Sequence, residues 1–135
     1  MRRLLLALLL ALLLPVASAR AADPQMWQSP SGNIACAAQG SELRCDVRRL
    51  GVSPPARPSA CMGDWGHAFS VTRTASRGRR ICVTDAVGGP GTPTVSYGRK
   101  WRRGGIACSV RSTEIRCANG RGHGFALRIG RQRLF

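Results

Sequence analysis

Apolar and polar positions alternate with a period of two through much of the chain beyond residue 30. In "GHGFAL" (122–127) and its continuation, His123, Phe125, Leu127 and Ile129 share one face, and Gly124, Ala126, Arg128 and Gly130 share the other. "GHAFSV" (66–71) repeats the beat with His67, Phe69 and Val71. This rhythm suits a half-buried antiparallel strand and has no helical counterpart. "RICVTDAV" (80–87) and "TVSYG" (94–98) predict further strands. The first residues break the pattern. Met1-Arg2-Arg3 leads into an unbroken Leu/Ala run from Leu4 to Leu14, closed by Pro15 and followed by Ala17-Ser18-Ala19. That order of parts predicts a secretory signal peptide over residues 1–19, cleaved after Ala19 or Ala21. The apolar run is near half of the ~20 residues a membrane span needs, so no transmembrane segment is expected after processing.

The hydrophobic pattern is also duplicated. "GNIACAAQGSELRC" (32–45) returns as "GGIACSVRSTEIRC" (104–117), each with cysteines nine positions apart. Read as hairpins, the first pairs Cys36 with Cys45 and Ala38 with Leu43, leaving Gln39 to Glu42 as the turn. The second pairs Cys108 with Cys117 and leaves Arg111 to Glu114. "SPPARPS" (53–59) is excluded from helix interiors and central strands by its prolines, and "GGPGTP" (88–93) reads as the joint between copies. The expected architecture is a single all-β domain over 27–135, a small antiparallel sandwich or barrel built from two related β-units, 27–87 and 94–135.

Six cysteines, Cys36, Cys45, Cys61, Cys82, Cys108 and Cys117, all follow the leader. In an oxidising compartment an even set predicts three disulfides. Directly opposed hairpin residues lie ~4.5–5.5 Å apart at Cα, within bridging range. The hairpin registers therefore give Cys36–Cys45 and Cys108–Cys117, and elimination gives Cys61–Cys82. Chain entropy assigns each bridge roughly 2.5–3.5 kcal/mol, and such staples suit a chain with few aromatic residues. Zinc is the rival use of these thiols, but no C-x-x-C pair is present. The predicted location is secreted or periplasmic.

Charge adds a second theme. The chain of 135 residues carries a net +15, and removal of residues 1–19 leaves 116 residues with a net +13. Basic residues cluster at Arg77, Arg79 and Arg80; at Arg99, Lys100, Arg102 and Arg103 around Trp101; and at Arg128, Arg131 and Arg133. Guanidinium forks grip phosphate or carboxylate bidentately, and a neighbouring indole adds stacking or interfacial insertion. Arg99, Lys100, Trp101, Arg102 and Arg103 are thus the candidate anion-binding residues, with an anionic envelope polymer or lipid headgroups as partner. No nucleic-acid-binding motif appears, and sequence-specific DNA recognition is disfavoured. The expectation is a non-enzymatic binding protein with no metal and no cofactor. Asp46, Asp64 and Asp85 are too dispersed for a cation site. The enzymatic alternative is a small phosphodiesterase- or RNase-like hydrolase in which His67 and His123 take and give a proton, with Asp64 orienting His67. Against it, each histidine leads an apolar strand face, where it serves more often as a hydrogen-bonding structural residue. A third reading is an interaction partner of another exported protein, which would show a contiguous exposed apolar patch.

"SPSGNIAC" (29–36), "RCDV" (44–47), "C..DWG" (61–66), "YG" (97–98), "GIAC" (105–108), "RCAN" (116–119) and "GHGF" (122–125) together resemble an uncharacterised family of small secreted bacterial proteins, known as a domain of unknown function. The resemblance spans essentially the whole chain after the leader. It implies an exported protein with paired cysteines, and it carries no catalytic residues. "GRKWRRGG" (98–105) is more basic than the resemblance leads one to expect.

Overall fold

Period-two alternation takes hold over ten strands: β1 (Met26–Gln28), β2 (Ile34–Gln39), β3 (Glu42–Val47), β4 (Asp64–Thr72), β5 (Arg79–Val83), β6 (Lys100–Arg103), β7 (Ile106–Val110), β8 (Ile115–Asn119), β9 (Gly124–Arg128) and β10 (Arg131–Leu134). The computed structural model describes residues 17 and 22–135. Apart from Ala17, the leader expected over 1–19 lies outside the described residues, as do both of its cleavage positions. Strands β1 to β5 form one antiparallel sheet in chain order, and β6 to β10 form a second in the same order. The fold is therefore all-β: two five-stranded sheets stapled by three disulfides.

The inward residues of the two sheets make one core. In the first sheet a row runs Trp27, Cys36, Cys45, Phe69 across four neighbouring strands. The second sheet matches it with Trp101, Cys108, Cys117, Phe125. Each row is buried from end to end, and each has a disulfide at its centre with Cα atoms 4.0 Å apart. Across the interface Trp27 meets Trp101 with ring centroids 5.8 Å apart, and Phe69 meets Phe125 at 6.3 Å. Tilted aromatic pairs at such spacings add about 0.5–1.5 kcal/mol each beyond the area they bury. Because equivalent residues face each other, the copies are related by an approximate two-fold axis running between the sheets along these rows.

That axis reverses strand direction from one sheet to the other. At one end of β4, Asn119 donates through Nδ2 to Thr72 O at 3.0 Å and to Ala75 O at 2.8 Å. Near the other end, Leu50 O, just beyond β3, accepts Gly130 N at 2.7 Å from the β9–β10 turn.

Two expected strands differ from the structure. "RICVTDAV" is strand only as far as Val83, and 94–98 forms no strand beyond an isolated parallel bridge between Thr94 and Gln28. The cause is the path between copies. After β5 the chain leaves the sheet edge and crosses the outer face of the first sheet as a strap. Val87 N donates to Asp46 Oδ2 at 2.9 Å over β3. Gly88 then passes Ala35 of β2 so closely that a Cβ on Gly88 would lie 2.7 Å from the alanine methyl. Gln28 N donates to Pro93 O at 2.8 Å, and Val95 N to Gln28 O at 3.0 Å, at the β1 edge. A turn at Gly98 (φ 84°) follows and feeds β6. The first hairpin turn is also tighter than expected: Gln39 and Glu42 pair, leaving only Gly40-Ser41 between them.

Candidate functional site

Pleat parity decides where the basic residues point. Trp101 points inward, so Lys100 and Arg102 point outward from β6. The same alternation turns Ala107 and Ser109 of β7, Arg116 and Ala118 of β8, Arg128 of β9, and Arg131 and Arg133 of β10 to the outer face of the second sheet. Ladder register strings Lys100, Ser109, Arg116, Ala126 and Arg133 into one row across all five strands. At ~4.8 Å per strand spacing that row is roughly 19 Å long. Arg116 stands at its centre, with the small side chains of Ser109 and Ala126 on either side separating it from Lys100 and Arg133. Ala107, although on an inner strand, remains exposed. Residues 94–135 carry ten basic residues and one acid, Glu114, against eight and four over 27–87. Glu114 meets Arg133 at 3.4 Å, both groups partly exposed, a pair of at most a few tenths of a kcal/mol.

The outer face of the first sheet is built differently. Its equivalent arginine, Arg44, sits beneath the strap. Arg44 donates through Nε to Asp46 Oδ1 and through Nη2 to Asp46 Oδ2, both at 2.8 Å, and through Nη1 to Asp85 Oδ1 at 2.7 Å. Its Nη2 also reaches Asp85 O at 2.6 Å. Burial works against the charged guanidinium, but the two carboxylates outweigh it and raise Arg44 above its ordinary value. In return, hydrogen bonding and then the charge of Arg44 hold the Asp85 carboxyl below the usual carboxylate range. Beside this group a groove of about 730 Å³ lies between strap and sheet, lined by Gln39, Glu42, Arg44, Val83, Thr84 and Asp85 among others.

The residues expected to bind anions divide between surface and interior. Lys100 and Arg102 stand on the open face and Arg99 is exposed in the turn before β6. Trp101 corrects the expectation of a flanking surface indole: it is 0% exposed. Its Nε1 donates to Pro24 O at 2.8 Å, so it has no free edge for stacking or insertion. Arg103 has the inward parity of Trp101, emerges at the strand end, and donates through Nη1 to Asp23 O at 2.8 Å. Arg102 donates its backbone N–H to Asp23 Oδ2 at 2.8 Å. This stretch therefore anchors the segment before β1 as well as carrying charge. The other two clusters meet at the far edge, where Arg77 Nη2 reaches Leu134 O at 3.4 Å. Arg80 turns over the Phe69 ring at 4.8 Å and donates to Gly66 O at 3.0 Å, and burial lowers its pKa. Arg116, which belongs to no cluster along the chain, stands midway between the two basic edges.

His67 and His123 occupy equivalent positions, and the two-fold places them at opposite ends of the sandwich. His67 Nδ1 lies 2.7 Å from Val47 O. His123 is tied by its backbone to Asn119, whose side chain holds the other end of β4. Thr72 is five positions beyond His67, about 16 Å of strand. A proton-taking and a proton-giving imidazole must reach one substrate together, and this arrangement separates them. Asp64 is exposed where the β4–β5 register shifts, opposite Val83. The partner of His67 is a backbone carbonyl. Three bridges, Cys36–Cys45, Cys61–Cys82 and Cys108–Cys117, leave no free thiol. Among the described residues no helix is long and apolar enough to cross a membrane.

A family model described as a family of unknown function (DUF6636) matches residues 4–135. No curated protein and no solved structure matches the chain.

Proposed function

We propose, from the premise that the chain belongs to the DUF6636 family of unknown function, that it is an exported, non-enzymatic binding protein that holds an anionic envelope polymer on the outer face of its second sheet. One observation carries this reading. Lys100, Arg102, Arg116, Arg128, Arg131 and Arg133 project from a single sheet face that no strap crosses and whose one ion-paired side-chain carboxylate is Glu114. Arginine on a rigid strand is pre-oriented, so less rotamer freedom is lost per contact than from a loop. A polymer is favoured over lipid headgroups because the aromatic ring on this face, that of Phe135, is half-buried with the Arg116 guanidinium over it rather than free to insert. Trp101 is interior, and the exposed large apolar residues Met26, Val52, Met62, Tyr97 and Ile129 lie outside its outward rows. Three disulfides and the leader-like first residues support an oxidising, exported setting.

Retention on immobilised wall or envelope polymer across a salt gradient tests the proposal. Binding should be strong near 0.05 M salt and fall away toward 1 M, where screening shortens to about 3 Å. Lys100→Gln/Arg102→Gln/Arg133→Gln should lose most retention. Arg48→Gln/Arg49→Gln/Arg57→Gln, which removes the same charge from the exposed β3–β4 connection, should keep it. Equal losses in the two triple variants, or salt-independent retention, overturn the reading. Stronger binding to anionic vesicles than to polymer transfers the role to lipid headgroups and overturns it as well.

A further inference from the structure

The two copies let one molecule display the same arginine twice, once engaged and once not. Arg44 and Arg116 each precede the second cysteine of their hairpin and point outward from the central strand of their sheet. Arg44 is saturated by Asp46 two residues on and by Asp85 from the strap. At the position matching Asp46 the second copy has Ala118. No strap crosses that face, and among the described residues no carboxylate lies within ion-pair distance of Arg116. Its guanidinium is nevertheless held: it lies 4.0 Å over the ring of Phe135, which sits on the outer face opposite Gly124. A guanidinium held over a ring face by its charge still has its N–H groups to offer to another partner. Lys100 and Arg133 stand in the same row on either side.

From this internal comparison, and resting on the face assigned above, we infer that Arg116 forms a carboxylate subsite: the bound polymer supplies in the second copy the group that Asp46 supplies to Arg44 in the first. The ligand class is then a chain of carboxylates. A planar carboxylate accepts two parallel N–H bonds from a planar fork, as Asp46 does at 2.8 Å twice over. The neighbouring Lys100 and Arg133 receive the next charges along the polymer.

Three variants and two probe polymers test this. Polygalacturonate carries carboxylates and polyphosphate carries phosphates, and both are used at matched charge in 0.15 M salt. Arg116→Lys keeps the charge and removes the fork, and affinity for polygalacturonate should drop roughly tenfold. Ala118→Asp rebuilds the self-occupied arrangement of Arg44 and Asp46, and should also lower polygalacturonate affinity about tenfold or more. Ala107→Asp makes the same charge change on the adjacent strand of the same face, opposite Ala118, and should cost far less. Thermal melts of all three confirm that each is folded. Equal effects of Ala118→Asp and Ala107→Asp overturn the subsite, and so does an Arg116→Lys variant that keeps its affinity for polygalacturonate. Retention of both polymers without discrimination likewise ends the carboxylate assignment while leaving the basic face standing. Failure of the wild-type protein to retain either polymer removes the face and the subsite together.

Discussion

Trp101 shows how a single residue misleads when only its neighbours in sequence are read. Flanked by Arg99, Lys100, Arg102 and Arg103 it looks like part of a surface, yet strand pleating turns every second side chain to the opposite face. Its equivalence to Trp27 is concealed because the two tryptophans stand nine and seven residues before their cysteines. The difference lies in the connections. Residues 29–33 link β1 to β2, whereas Gly104-Gly105, both at positive φ (60° and 79°), link β6 to β7, a two-residue turn whose backbone Gly-Gly adopts without strain. Trp101→Ala should cost about 3–5 kcal/mol in chemical denaturation, since it empties half of the Trp27–Trp101 contact and frees Pro24. A loss under about 1 kcal/mol would return Trp101 to the surface and remove this account of the core. Arg116 went unnoticed for the converse reason: it has no basic neighbours along the chain, and only its phase with Cys117 and the contrast of "LRCD" with "IRCA" signal it.

Among the elements, the strap was the least legible. Residues 84–93 read as the end of a strand followed by a flexible joint, because their course is set by Arg44 and Asp46, some forty residues away. Hairpin register, by contrast, is a local matter of alternation and turn length, and both cysteine hairpins pair as their spacing predicts. The Asp85 contact makes the strap sensitive to acid. Arg44 lowers the folded-state pKa of Asp85 below its unfolded value of about 3.9. Its stabilising effect is therefore complete above that value and fades as pH falls through the folded pKa. Protection of the amides at residues 85–88, measured against their intrinsic exchange at each pH, should fall in that acid window before the β2–β3 ladder loosens. Asp85→Asn should show the lower protection already at neutral pH, with the acid dependence much reduced. An unchanged acid response in Asp85→Asn would show that another group ties the strap down.

At the scale of the whole molecule, the all-β class was readable from period-two alternation, and the duplication from the paired cysteine motifs. The face-to-face meeting of the sheets was not, because no local pattern encodes which strand lies over which. Burial divides the disulfides into two kinds. Cys36, Cys45, Cys108 and Cys117 lie in the core at no more than 1% exposure, while Cys82 of the remaining bridge is exposed. Under native conditions a thiol reductant should open Cys61–Cys82 first and reach the other pair only when the sandwich unfolds. Mass spectrometry of alkylated thiols follows this order directly, and simultaneous release of all six would contradict it. The two-fold relation between the sheets has a consequence for ancestry. An isologous contact is one in which a residue meets its own counterpart, and Trp27 on Trp101 and Phe69 on Phe125 are meetings of that sort. A lone five-stranded half would find its natural lid in a twin, so the tandem chain has the geometry of a homodimer fused into one gene. Halves joined in one chain need not stay identical, and here only one of them closes its outer surface with its own tether.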